Sequence, residues 1–220
     1  MAELIIFHVD VNSAFLSWEA SYRMRELGSP VDLRTIPAAV GGSEELRHGI
    51  VLAKSPAAKR FGVRTGEPLV NARRKCPELV VVPPNFDLYV RNSTAFIDLL
   101  KEYSPLVEQY SIDEAFCDMT GTELLYGDPV EFAYTLKETI SSRLGFTVNI
   151  GISCNKLLAK TASNFEKPDR VHTLFPPEIA ESSGLCLWVN FFLPVGLPEK
   201  YFKIWGLRRS EIWPLLTEHC

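Results

Sequence analysis

The stretch LIIFHVD at residues 4–10 is an apolar run of β-forming side chains that ends in an acid, Asp10. Its only other polar side chain is His8, which we expect to pack within the strand. Such a run predicts a buried strand near the start of the chain. We therefore expect Asp10 to lie at the edge of a sheet.

The elements that follow this strand predict the topology. Helices are expected to begin at Asn12 or Ser13, at Asp87, at Asp128 and at Asn155. Further strands are expected at Leu106–Ile112, Ala115–Met119 and Thr147–Ile152. Apart from one insert and one extra helix, the order is β-α-β-β-α-β, the split βαβ pattern of ferredoxin-like folds. The sequence therefore predicts an α+β fold with an antiparallel sheet and helices on one face.

Local signals mark the ends of two of these helices. Asn12 or Ser13 can cap the first helix through its side chain. The clearest start is Asp128, an N-cap followed by Pro129 at the first helical position. Gly145 is expected to end that helix.

The composition is that of a globular protein. Of 220 residues, 46% are hydrophobic and 23% are charged, which excludes collagen-like and disordered classes. The longest apolar stretch, Leu185–Leu197, is interrupted by a proline and a glycine and is shorter than the ~20 residues of a membrane span. No basic segment precedes the first apolar run, and the five cysteines form no CxxC pair. We therefore expect a cytoplasmic protein with reduced thiols, no signal peptide and no membrane partner.

The segment after the first helix is richer in basic residues. Residues 30–85 end at Pro83-Pro84, and between Ser43 and Lys75 basic residues outnumber acids by eight to three. The whole chain carries 23 Lys and Arg against 27 Asp and Glu, a formal charge of −4. Contact with nucleic acid must therefore come from a local patch such as this one. Taken alone, the patch is explained equally well as a solvated basic face.

Two adjacent acids occupy the junction of the two middle strands. Asp113 and Glu114 lie between apolar residues, and a split βαβ sheet places this hairpin beside the strand that carries Asp10. Carboxylates gathered at one sheet edge repel each other unless a cation lies among them. Oxygen ligands of this kind select Mg²⁺, and two such ions can assist phosphoryl transfer. Taken singly, each acid would more often be a solvated loop residue.

Four sequence blocks resemble one enzyme family. They are VDVNSAF at 9–15, SIDEAF at 111–116, GISCNKLLAK at 151–160 and KPD at 167–169, and FGVRTGEP at 61–68 matches a further segment. In this order the blocks resemble the Y-family, or translesion, DNA polymerases of the bacterial polymerase IV and UmuC-like group. The resemblance implies a DNA-directed DNA polymerase that copies past damaged bases. It also implies two Mg²⁺ ions as cofactors, with dNTP and primer–template DNA as partners.

The resemblance implies roles for residues at matching positions. Asp10, Asp113 and Glu114 would be catalytic and would hold the two metal ions, with the Val11 carbonyl as a further ligand. Phe15 would be the steric gate, a ring that leaves no room for a ribose 2′-hydroxyl. Without the motif, a Phe on the apolar face of a helix would be regarded as an ordinary core residue.

Further roles implied by the resemblance concern substrate binding. Lys59 and Lys160 would bind the incoming triphosphate, and Ile50 and Leu52 would form a roof over the nascent base pair. Possible DNA contacts are Arg64, Arg73, Arg74, Lys156 and Lys167. Lysines at such positions are otherwise most often solvated.

The resemblance also divides the chain into domains. Residues 1–29 and 86–170 would form the palm, residues 30–85 the fingers, and residues 171–220 a partial thumb or an irregular, partly helical tail. The family normally continues through a thumb and a little finger, so we expect a shortened form that lacks the little finger. The segment that binds a sliding clamp is then expected outside this chain. For the full-length protein the resemblance implies association with the nucleoid.

Departures from the family leave alternatives open. Pro56 replaces a Tyr that contacts phosphate, and Lys59 replaces an Arg, so triphosphate binding is expected to be weaker or rearranged. Asn12 stands where many members have a second Asp, which we do not interpret as inactivation. The alternatives are a nucleotide- or DNA-binding fragment without polymerase activity of its own and, less favoured, a palm-type nucleotidyl cyclase.

Overall fold

The computed structural model describes residues 4–42 and 49–179. The strands are β1 (Ile6–Val11), β2 (Ala38–Gly41), β3 (Val51–Lys54), β4 (Val80–Val82), β5 (Leu106–Gln109), β6 (Glu114–Asp118), β7 (Val148–Ser153) and β8 (Val171–Thr173). The helices are α1 (Ala14–Arg25), α2 (Pro56–Arg60), α3 (Leu69–Lys75), α4 (Phe86–Tyr103), α5 (Glu123–Tyr126), α6 (Pro129–Leu144), α7 (Lys156–Ala162) and α8 (Pro176–Ile179). None of the helices in these two ranges is long and apolar enough to cross a membrane.

The larger sheet has β1 at its centre. Its five strands run in the order β5-β6-β1-β7-β8, and β1 is antiparallel to both β6 and β7. This confirms the predicted α+β fold with a split βαβ sheet. The prediction of a purely antiparallel sheet is wrong, because β8 adds to β7 in parallel. A strand of three residues is too short to show periodicity, and the open edge of β7 supplies its pairing.

Alternate residues of β1 serve the two faces of this sheet. Phe7, Val9 and Val11 belong to the main core, which α1, α4 and α6 share. Ile6 packs on the other face with Ala159 of α7. The prediction that the helices lie on one face is therefore wrong for α7.

A glycine in β7 allows this close packing of α7. A Cβ atom on Gly151 would lie 2.0 Å from the Ala159 carbonyl oxygen and 2.4 Å from the Ser163 backbone nitrogen. Only a residue without a side chain therefore lets α7 rest directly on the sheet. This contact holds Lys160, on the same helix, close to the sheet edge.

The helix ends show which local predictions were correct. The Asp128 side chain accepts hydrogen bonds from the backbone N–H groups of Val130 (2.9 Å) and Glu131 (3.0 Å), and Gly145 ends α6 with φ 84°. Both predicted ends of α6 are confirmed. Ser13 precedes α1 as expected, but its side chain makes no capping bond, since its backbone is left-handed at φ 49°.

The basic insert forms its own small sheet, which the sequence analysis did not predict. Its strands run in the order β3-β2-β4, and α2 and α3 pack on it through a separate apolar cluster. Strands of three or four residues in a segment rich in Gly and Pro leave too weak a pattern to recognise. Arg47 and residues 180–220, which include most of the expected thumb or tail, lie outside the described residues.

We expect Gly151→Ala to destabilise the fold severely, by more than the ~1–3 kcal/mol of an ordinary overpacked core site. The added methyl group meets backbone atoms of α7, so no side-chain rotation can relieve the contact. The measurement is urea unfolding followed by circular dichroism. Gly28→Ala is the control, because a Cβ atom at Gly28 would meet no other atom within 4 Å. That variant is expected to lose only the roughly 1–2 kcal/mol of stability that a side chain costs at a positive φ. Equal destabilisation by the two variants would contradict this account of the α7 packing.

Candidate active site

The three acids singled out by sequence lie on neighbouring backbone positions at one end of the strands of the main sheet. Asp10 of β1 pairs directly with Glu114 of β6. The backbone N–H of Val11 donates to the Asp113 carbonyl at 3.0 Å. Residues separated by a hundred positions along the chain are therefore neighbours, because β1 lies between the hairpin β5-β6 and β7.

The turn that carries Asp113 differs from the expected tight connection. β5 ends at Gln109, so the connection spans residues 110–113. The Ser111 hydroxyl donates to Asp113 Oδ1 at 2.7 Å, and the Ser93 hydroxyl of α4 donates to the Ile112 carbonyl at 2.5 Å. These bonds fix the turn and the orientation of the Asp113 carboxylate within it.

Glu114 lies between two nitrogen-bearing side chains. His8 Nε2 is 3.4 Å from Glu114 Oε2, and the Lys160 ammonium of α7 is in direct contact with the same oxygen. The His8 ring and then the Lys160 ammonium lower the pKa of Glu114 to about 2, although its partial burial opposes them. Glu114 is therefore ionised at neutral pH.

His8 is fully buried in the strand, as expected, but it also contacts the site. Its Nδ1 lies 2.8 Å from the Ser163 hydroxyl, which in turn donates to the Lys160 carbonyl at 2.9 Å. Sequence reasoning missed the contact with Glu114. The available signal was the even spacing of His8 and Asp10, which puts both on one face of β1.

Asp10 has the opposite electrostatic balance. It is buried, and this burial raises its pKa even though the Lys167 ammonium touches its carboxylate and acts to lower it. The neighbouring negative charge of Glu114 also raises it. A carboxylate in these surroundings is stabilised by any additional cation.

The side chains fit a hard divalent cation by chemistry, although they are not arranged as a finished metal site. Among residues 4–42 and 49–179, no group of three or more His, Cys, Asp or Glu side chains is close enough to hold an ion. The oxygen donors of Asp10 and Glu114 are paired with lysines instead. Carboxylate oxygens are nevertheless the ligands that Mg²⁺ prefers. Such an ion would also offset the repulsion between Asp10 and Glu114 that helps to raise the pKa of Asp10.

Phe15 lies at the start of α1 and rests on a second aromatic ring. It stacks on Tyr89 of α4 with ring centroids 4.7 Å apart and an interplanar angle of 14°, and Trp18 flanks it at 6.0 Å. Tyr89 is fully buried, so it gives Phe15 a rigid support. Tyr89 was not predicted, since nothing in the sequence shows that α4 crosses α1 at this point.

The lysines expected at the triphosphate are in different surroundings. Lys59 lines an open cleft of about 550 Å³ together with Lys167 and Arg170. Lys160 does not line it but contacts Glu114 and lies 4.2 Å from the centre of the Tyr110 ring. Lys167, predicted only as a possible DNA contact, is thus the lysine that the structure brings together with Lys59.

The remaining predicted residues lie farther from the acids. Ile50 is 44% exposed and bridges to Pro68, whereas Leu52 is half-buried against the main core. The arginines predicted as DNA contacts are all exposed on the insert: Arg64, Arg73 and Arg74. Lys156 is paired with Glu108 of β5. The basic surface predicted for the insert is therefore present in its described part.

Comparison with known proteins gives a consistent result. The chain matches the impB/mucB/samB family over residues 9–164. It is 50% identical over 192 residues to DNA polymerase IV of Clostridium acetobutylicum, covering 87% of this chain and 46% of that protein. It is 40% identical over 192 residues to DNA polymerase IV 1 of Bacillus subtilis, covering 87% and 43%. The chain thus spans a little under half the length of these relatives.

Solved structures resemble the fold at lower sequence identity. DinB from Sulfolobus solfataricus superimposes with a TM-score of 0.69 and 23% identity, over 96% of this chain and 65% of that one. A Y-family DNA polymerase chimera, Dbh-Dpo4(243-245)-Dbh, gives a TM-score of 0.70 and 23% identity, over 96% and 66%. At this level of identity the likeness concerns the fold alone.

We expect Lys160→Met to raise the pKa of Glu114 from about 2 towards its ordinary value, because the variant removes the ammonium that touches the carboxylate. The measurement is a pH titration of glutamate carboxyl carbons by NMR. Lys156→Met is the matched control, since it removes a cation one turn earlier that pairs with Glu108. A Glu114 pKa unchanged by Lys160→Met would show that the contact carries no electrostatic weight.

Proposed function

Since this chain belongs to the impB/mucB/samB family of Y-family DNA polymerases, we propose that it contributes the catalytic part of a DNA-directed DNA polymerase that extends primers past damaged bases. The observation that carries the proposal is the direct pairing of Asp10 with Glu114, with Asp113 at the next position. Nucleotidyl transfer needs negative oxygens to hold cations where a phosphate reacts.

In this proposal the acids hold two Mg²⁺ ions. Asp10, Asp113 and Glu114 supply carboxylate oxygens, and Val11 supplies its carbonyl. When bound, the ions neutralise the developing charge on the attacking and leaving oxygens of phosphoryl transfer. The chain itself keeps Glu114 ionised through His8 and Lys160, so that the carboxylate needs no deprotonation before it binds a cation.

The triphosphate is proposed to bind in the cleft between Lys59 of the insert and the loop that follows α7. Lys59, Lys167 and Arg170 line this cleft, and Lys167 also reaches Asp10. Cations placed in this way balance the charge of the leaving pyrophosphate. Lys160, which contacts Glu114 and does not line this cleft, is proposed as a second source of positive charge. Pro56 offers no hydrogen-bond donor at the start of α2, which is why the lysines carry more of the binding.

Phe15 is proposed to select deoxynucleotides by shape. Its ring lies just beyond the strand that carries Asp10 and is held flat on Tyr89. A ring whose position is fixed by packing excludes a 2′-hydroxyl more strongly than a ring that can move aside. Ile50 and Leu52 are proposed to cover the nascent base pair from the insert.

Primer–template DNA is the proposed partner, and Arg64, Arg73 and Arg74 are its proposed contacts on the insert. Phosphate contacts of this type weaken as salt increases. For the full-length protein we propose association with the nucleoid and with a sliding clamp. A nucleotide- or DNA-binding fragment is the second candidate, because the chain spans less than half the length of its relatives.

We expect Asp113→Asn to reduce primer extension by at least about a hundred-fold, as expected for a group that holds the metal. Extension of a labelled primer by this chain in low salt, with Mg²⁺ and dNTP, is the measurement. Asp98→Asn is the control, because Asp98 is an exposed acid on α4 that pairs with Lys101. Undiminished extension by the Asp113 variant would refute the metal role.

Two further assays separate the competing functions. If the unaltered chain binds dNTP but extends no primer at any salt concentration, the binding fragment is supported and the polymerase proposal fails for this chain. A cyclic product formed from ATP or GTP would instead support the cyclase.

We expect Phe15→Ala to lower the preference for dNTP over rNTP by roughly 10–200-fold, since the variant removes a steric exclusion of one hydroxyl group. Single-nucleotide insertion kinetics with each substrate measure the ratio. Tyr22→Ala on the same helix is the control for loss of an aromatic side chain away from the acids. An unchanged ratio would reject the gate.

A further inference from the structure

One buried amide lies beneath the loop that follows α7. Asn149 of β7 is fully buried and pairs directly with Asp10 of β1, which pairs in turn with Glu114 of β6. Directly opposed residues of neighbouring strands project from the same face of a sheet. The three side chains therefore form one row across the sheet.

The Asn149 amide directs its hydrogen bonds to that loop. Its Nδ2 donates to the carbonyls of Ser163 (3.0 Å) and Glu166 (2.5 Å), and its Oδ1 accepts from the backbone N–H of Arg170 (3.2 Å). One side chain thus ties the start, the middle and the end of residues 163–170 to the sheet.

Other side chains complete the attachment. With its amide oriented so that donors meet acceptors, Asn12 donates to Asn149 Oδ1 at 3.1 Å and accepts from the Asp169 N–H at 3.0 Å. Lys137 of α6 pairs with Asp169 Oδ1 at 3.0 Å. Asp169 has φ 63°, a conformation that non-glycine residues adopt at some cost, and these partners stabilise it.

The fixed loop presents Lys167 towards two features of the site. Its ammonium contacts the Asp10 carboxylate, and its side chain lines the cleft that Lys59 also lines. Burying a primary amide in a fully buried strand costs free energy unless its hydrogen bonds are made. The loop backbone makes them, so the position of Lys167 depends on the amide.

We propose that Asn149 is a positioning residue that sets where the Lys167 ammonium stands between Asp10 and the cleft. The inference rests on the proposed function, since it takes the ligand of this cleft to be a triphosphate chain. Asn149 acts through the backbone of residues 163–170 and touches no substrate itself. Loss of its amide therefore lets the loop shift and weakens triphosphate binding, with a smaller effect on the rate of the bound complex.

The test is a double-mutant cycle with inorganic tripolyphosphate as the probe, in the absence of DNA and metal. Isothermal titration calorimetry gives its affinity for the full chain and for Asn149→Ala, Lys167→Met and the double variant. We expect each single variant to bind about ten-fold more weakly. We expect the double variant to bind no more weakly than Lys167→Met alone, because Asn149 acts only through that lysine.

A second measurement reports on the loop without any ligand. Hydrogen exchange of residues 163–170 is expected to become faster in Asn149→Ala and to stay unchanged in Lys167→Met. Ser153→Ala is the structural control, because Ser153 is also fully buried on β7 but bonds the Leu174 carbonyl instead of the loop. If Asn149→Ala does not fold, Asn149→Ser takes its place, since it keeps one hydrogen-bonding group on the strand.

Several results would overturn the inference. They are additive losses in the double variant, unaltered loop exchange in a folded Asn149 variant, an equal loss of affinity in Ser153→Ala, and no binding of tripolyphosphate by the unaltered chain. Failure of the proposed function looks different. If the cycle behaves as expected but the chain extends no primer, the polymerase proposal fails while the positioning role of Asn149 stands.

Discussion

The pairing of β1 between β6 and β7 is the constraint on which the site depends. It aligns Glu114, Asp10 and Asn149 in one row, although they come from three distant parts of the chain. A slip of one residue in either pairing would turn Asp10 into the apolar core and Val9 towards the lysines. Because Phe7, Val9 and Val11 are almost completely buried, the hydrophobic effect opposes such a slip. The core on one face therefore fixes the geometry of the polar groups on the other.

The two faces of the main sheet have different roles, because one packs in the apolar core and the other carries the polar site residues. Its apolar face packs against α1, α4 and α6, whereas its other face carries His8, Asp10 and Glu114 and is covered by α7. Helix α7 lies close enough to the sheet for Lys160 to contact Glu114. Gly151 permits this approach, and Ser163 then joins the end of α7 to the His8 ring. A single glycine in β7 thus controls where the second layer of the site stands.

Sequence reasoning succeeded where the signal is local. Asp128 and Gly145 bound α6 as predicted, since capping depends on neighbouring residues. The pairing of the strands that carry Asp10 and Glu114 also followed from the predicted topology. The face occupied by α7, the added strand β8 and the position of Lys167 were not predictable, because each depends on contacts made after the chain has folded back. Asn149 was read as part of a strand, and nothing in its neighbours reveals that a loop 14 to 21 residues later would bind it.

The charges around Asp10 and Glu114 support the proposed binding of a cation. Asp10, Asp113 and Glu114 contribute three negative charges when ionised, and Lys160 and Lys167 contribute two positive ones. Among these five side chains one negative charge remains uncompensated. It belongs to Asp113, since Lys167 contacts Asp10 and Lys160 contacts Glu114. Burial raises the pKa of Asp10, while His8 and Lys160 lower that of Glu114 to about 2. Two adjacent carboxylates whose pKa values diverge in this way do not share a proton equally. A divalent ion between Asp10 and Glu114 would compensate both carboxylates without protonation of Asp10. Lys160 and Lys167 would then be available to bind other anions.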